Sequence, residues 1–118
     1  MPSFFELRMA VEEQIKRKAP GVLMLLNHYS RQRFGMRFVD AVFSMPRKVF
    51  EMMKEVYEGE VTARVVMKRL VMKPIAEVLG DPDLADELMS AAMEGCSSFV
   101  NLLRRYGVRG LSPGICRD

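Results

Sequence analysis

Between Gly59 and Gly80 lies a run of twenty residues whose apolar positions, Val61, Val65, Leu70, Val71, Ile75, Val78 and Leu79, extend nearly all round a helix. A helix that is apolar on most sides is ordinarily a central one, because every side needs a neighbour to cover it. Such a run commits the chain to a bundle in which other helices surround residues 60 to 79. Pro74 sits inside the run, where a proline removes one backbone hydrogen bond and costs about 3 kcal/mol relative to alanine. The sequence therefore predicts a kink or a break near Met72 and Lys73.

The neighbours are legible from periodicity. Pro46 suits the first turn of a helix, and Val49, Phe50, Met53, Val56 and Tyr57 follow at spacings of three and four, with Glu51, Lys54, Glu55 and Glu58 on the other side. At the N-terminus Ser3 and Glu6 form a capping box, which contributes roughly 1 kcal/mol. It opens a helix with Phe4, Leu7, Val11 and Ile15 inside and the pairs Glu12–Lys16 and Glu13–Arg17 outside. Pro20 opens a second helix, with Val22, Leu25, Leu26 and Tyr29 as its stripe and Gly35 as its stop. Residues 36 to 43 suit a brief helix. Asp81 and Pro82 start a last long helix carrying Leu84, Leu88, Ala91, Ala92, Cys96, Phe99 and Leu103. Gly95 interrupts it at a cost of up to about 1 kcal/mol and reads as a close helix crossing or a mild bend.

These elements predict an all-α, single-domain bundle of five or six helices over residues 1 to 118, ending in an irregular tail at 108 to 118. The 49% hydrophobic content is enough for a real core. No secretory pattern and no membrane-length apolar run are present, so the expected location is cytoplasmic and no membrane partner is expected.

Little in the sequence suggests chemistry. The single histidine, His28, has no nearby acid in sequence to make it a base. Neither cysteine belongs to a CxxC pair, and zinc-protease, calcium-loop and phosphate-loop patterns are missing. Asp81, Asp83, Asp86 and Glu87 are explained by a helix start without a cation. The expectation is a protein that is not an enzyme, with no catalytic, cofactor or metal residues and no cofactor.

Charge alternates in blocks along the chain. Arg31, Arg33, Arg37, Arg47 and Lys48 face only Asp40 in their block, a mostly acidic stretch follows, and residues 81 to 95 hold five acids and no base. Such blocks suit helices that attract one another within a bundle or across subunits. The alternative is a nucleic-acid-binding protein using Arg31, Arg33 and Arg37 beside Phe34 and Phe38, with Lys68, Arg69 and Lys73 as a second patch. A third reading is a sensor holding a small apolar ligand between helices. The 11 methionines suit gap-filling in the core, with a minority exposed at a contact.

Arg33-Phe34-Gly35, Met45-Pro46 with Phe50, Val56-Tyr57-Glu58-Gly59, and Ala63, Val65, Val66 and Leu70 resemble a family of small archaeal all-helical proteins of unknown function over residues 22 to 80. That resemblance implies an interaction or signalling-accessory module, found alone or attached to signalling-type chains, and supplies no catalytic residues. Together with the apolar excess at 61 to 79, it leads to the expectation of a protein-interaction module that forms a homodimer.

Cys96 and Cys116 are expected to remain free thiols, as is usual in a reducing compartment. The alternative is a disulfide that ties the tail back onto the last helix. Gly107, Gly110 and Gly114 would let the chain reverse, and the closed loop would stabilise the fold by about 3 kcal/mol.

Overall fold

The computed structural model describes residues 2 to 117 and is all-helical. Its helices are α1 (Phe4–Lys18), α2 (Pro20–Phe34), α3 (Phe38–Ser44), α4 (Pro46–Val56), α5 (Glu60–Met67), α6 (Lys73–Val78), α7 (Ala85–Glu94) and α8 (Cys96–Arg105). A π turn (Lys68–Met72) joins α5 to α6 without interruption, and a 3-10 turn (Pro82–Leu84) leads into α7. With α5 and α6 counted as one rod, the described residues form seven helices rather than five or six. The extra one comes from Gly95, which ends α7 and begins α8 instead of bending a single helix.

The chain builds two of its corners alike. Ala19 (φ −150°, ψ 67°) and Met45 (φ −153°, ψ 65°) each end one helix and start the next, and each precedes a proline. A proline crowds the residue before it out of helical geometry while fitting the first helical position itself. Two pairs of helices are therefore joined by a single residue. Gly35, at φ 70°, ends α2 in the left-handed region that glycine occupies without penalty.

Pro74 behaves otherwise. Met72 and Lys73 keep helical angles, so the helix runs through the proline and is not broken there. The Lys73 N–H donates to the Lys68 carbonyl five residues back, the signature of a π turn. This wider turn lies immediately before the proline, where the ring would otherwise press on the carbonyl four residues back.

One hydrophobic cluster draws buried residues from every helix, with Phe38, Phe43, Phe50 and Phe99 as its largest buried rings. The central rod contributes Ala63, Met67, Val71, Met72, Ile75 and Ala76, all fully buried. Most of the helical methionines are inside, including Met52, Met53, Met67, Met72 and Met89, and so is Met45 at the corner between α3 and α4. The capping box forms as its residues require: the Glu6 N–H donates to Ser3 Oγ (3.1 Å) and the Ser3 N–H to Glu6 Oε1 (3.4 Å). In α2 the buried stripe is Leu23, Leu26 and Ser30, rotated from the expected one so that Leu25 is exposed. Polar anchors set that rotation. Asn27 Oδ1 accepts from the Phe38 N–H (2.9 Å), and the buried Ser30 hydroxyl donates to the Met36 carbonyl (2.9 Å).

After α8 the chain turns back. Val108 is buried, and the Phe4 N–H donates to the Arg109 carbonyl (2.6 Å) while the Arg109 N–H donates to the Pro2 carbonyl (3.2 Å). A parallel bridge between Ser3 and Arg109 results. Cys116 is joined to Cys96 by a disulfide with its Cα atoms 5.7 Å apart, so the cysteines are paired rather than free. The physical reason is proximity: the tail reverses antiparallel to α8 and brings residue 116 to the first residue of that helix. Asp118, the last residue of the expected tail, lies outside the described residues. No helix among the described residues is long and apolar enough to cross a membrane.

Candidate interaction surfaces

The outer face of α5 follows directly from its inner one. Ala63 and Met67 point to the core, which turns Val61 and Val65 outward, where they are 78% and 44% exposed. Burial elsewhere in the rod is thorough, and these two valines are its unhidden apolar residues. On one flank lie Glu60, Arg64 and Lys68. Arg64 reaches Glu60 (3.7 Å) and stands 5.7 Å from the centre of the Phe50 ring, while Lys68 reaches across to Asp86 (2.6 Å). Such exposed pairs are individually weak, so the same groups can exchange partners at little cost.

Val65 also borders a groove of about 680 Å³ between the central rod and the start of α7. Lys68, Arg69 and Lys73 line it together, so the second basic set of the sequence is assembled in space. The facing wall carries Asp83 and Asp86, with Pro82 and Ala85. The groove is thus bipolar, cationic on one side and acidic on the other. Asp81 is occupied locally, accepting from the Asp83 N–H (3.2 Å) and the Tyr106 hydroxyl (3.5 Å).

Arg31, Arg33 and Arg37 do not share one open patch. Arg33 is ion-paired with Glu55, and Arg37 faces Glu12 (3.5 Å) and Asp40 (3.8 Å). Arg33 holds the Glu55 carboxyl below its ordinary range, first by its hydrogen bond and then by its charge. Asp40 also accepts from Arg8 (2.8 Å). Arg31 stands apart on the outer side of α2, in a shallow cleft with Met24, Asn27, His28 and Gln32. His28 is exposed, its ring 5.5 Å from that of Tyr29.

A second exposed apolar pair, Met24 (74%) and Leu25 (41%), lies on this outer side of α2. α2 carries no acidic residue, and cations stand at both its ends: Lys16, Arg17 and Lys18 before it, Arg31 and Arg33 in its last turn. Sequence reasoning placed Leu25 inside and so missed this pair. The clue was the polar pair Asn27 and Ser30, whose hydrogen bonds set which side of α2 faces in.

No family model matches the chain, and no curated protein and no solved structure matches it either.

Proposed function

We propose that the protein is a helical interaction module that associates with a second copy of itself through the outer face of α5. The observation that carries this reading is the exposure of Val61 and Val65 on a rod whose other strongly apolar positions are wholly or half buried. Antiparallel pairing of two α5 helices about a two-fold axis sets Val61 of one copy against Val65 of the other. It also brings Glu60 toward the second copy's Lys68 at both ends, so one patch is complementary to itself, as an isologous contact requires. The outer face of α2 lacks this property, because the same arrangement would set cations against cations. An interaction or output role is also what the family resemblance implies.

The nucleic-acid reading keeps one favourable observation, the shared wall of Lys68, Arg69 and Lys73. The acids Asp83 and Asp86 opposite that wall repel a phosphate backbone, which favours a protein partner.

Two valines per copy make a small contact, and small interfaces are weak. Sedimentation of the purified protein should show a monomer–dimer equilibrium at high micromolar concentration. Val61→Glu should leave the helical circular dichroism signal unchanged and abolish the dimer. A strict monomer at millimolar concentration, or a dimer that tolerates Val61→Glu, would remove the proposal.

A further inference from the structure

We propose that the Cys96–Cys116 disulfide is a thiol–disulfide exchange site for a dithiol reductant, and that exchange releases the tail as a strap. The two sulfurs differ in access. Cys96 is only 2% exposed, whereas Cys116 is half-buried, and both border a surface cleft of about 330 Å³ lined with the small residues Gly95, Ser97 and Ser98. An incoming thiolate therefore meets Cys116 first.

At the leaving sulfur two effects compete. Cys96 is the first residue of the ten-residue helix α8, whose first N–H groups have no partner within the helix and which has no side-chain cap. The positive end of the helix dipole favours the departing sulfur's charge while its burial opposes it, and Arg47 and Glu94 line the same cleft with opposite charges.

The step balances as follows. The thiolate of the dithiol attacks Cys116 Sγ and forms a mixed disulfide. The Cys96–Cys116 bond breaks and its electron pair departs on Cys96 Sγ, which then takes a proton from water. The second thiol of the reductant, deprotonated, attacks its own first sulfur, and Cys116 leaves as a thiolate that is protonated in turn. The protein gains two electrons and two protons, and the dithiol becomes a cyclic disulfide. The new Cys96 thiol finds an acceptor in the Phe43 carbonyl, 3.6 Å away.

The bond governs the tail more than the bundle. The contiguous buried core does not include Cys96, and residues 111 to 117 add only the half-buried Leu111 and Ile115 to it. Beside the cross-link, that segment is tied to the bundle by the Arg117 N–H to Ser44 carbonyl bond (2.9 Å) and the Arg104 to Leu111 carbonyl bond (3.5 Å), too few to hold it once the cross-link is cut. Buried Val108 and the Ser3–Arg109 bridge remain as its hinge.

The test uses the full oxidised chain without denaturant. On titration with dithiothreitol the thiol count should rise from zero to two while the helical circular dichroism signal holds, and amide exchange across 111 to 117 should accelerate at least tenfold. With excess 2-mercaptoethanol, followed by rapid alkylation and mass spectrometry, the mixed disulfide should sit on Cys116 and the alkyl group on Cys96. A disulfide reduced only as the helices melt, an unchanged exchange rate in the tail, or a mixed disulfide on Cys96 would each overturn the proposal.

Discussion

Pro74 and Gly95 are the two helix breakers that lie inside apolar runs, and the fold treats them oppositely. Proline is the stronger breaker, by about 3 kcal/mol against about 1 for glycine, yet the helix continues through Pro74 and stops at Gly95. The difference lies in what continuity would bury. On both sides of Pro74 stand fully buried residues, Val71 and Met72 before it and Ile75 and Ala76 after it. A break there would strip several of them from the core. At Gly95 the break is what permits burial: α8 folds back on α7 and places Phe99, Leu102 and Leu103 inside. Local propensity is thus a weak prior that tertiary burial overrides.

The largest test removes burial from the continuous rod. Ile75→Ala should destabilise the protein by about 2–5 kcal/mol, as other buried isoleucines do. Urea titration would show this as a lower midpoint with an unchanged slope. A loss below about 1 kcal/mol would mean that burial around Pro74 does not hold the helix together.

A smaller effect is expected at the break. Gly95 lies at φ 142° and ψ 172°, a conformation almost confined to glycine, and a Cβ added there would meet nothing within 4 Å. The close helix crossing that the sequence allowed at Gly95 is therefore not formed at this residue, and the cost of a side chain is one of backbone alone. Gly95→Ala should lose about 1–3 kcal/mol. Unchanged stability, or a rise in helix content from α7 and α8 merging, would show that the break is not fixed by the glycine.

Much of this fold was legible because its signals are local. The capping box at Ser3 and Glu6, the proline corners at Pro20 and Pro46, and the stripe of Leu7, Val11 and Ile15 need only neighbouring residues to be read. The rotation of α2 was not legible, since it depends on Asn27 meeting the Phe38 N–H and Ser30 meeting the Met36 carbonyl across a loop. The expectation of free thiols failed, because only the path of the tail over α1 and α8 decides whether residue 116 reaches residue 96. For the candidate surfaces, sequence assembled Lys68, Arg69 and Lys73 correctly as neighbours. It could not show Asp86 bonded to Lys68 or Glu55 to Arg33, which lie far apart along the chain.

The smallest expected effect concerns Pro74 itself, and it separates two causes of the π turn. Ala63, Met67, Val71 and Ile75 recur every four residues and are all fully buried. In an α-helix a four-residue step overshoots one turn by about 40°, so this series would drift by roughly a third of a circle away from the core. One wide turn with five-residue hydrogen bonding takes up that drift and keeps the series on one side. The spacing therefore asks for a π turn independently of the proline. Pro74→Ala restores an N–H and removes the ring's pressure on the preceding turn, but leaves the spacing intact. The π turn should persist in the variant, with stability changed by no more than about 1 kcal/mol, because the regained helix propensity is offset by a less restricted unfolded chain and lost ring packing. A crystal structure of Pro74→Ala in which the Lys73 N–H has moved from the Lys68 carbonyl to the Arg69 carbonyl would assign the turn to the proline alone and leave the four-residue spacing without consequence.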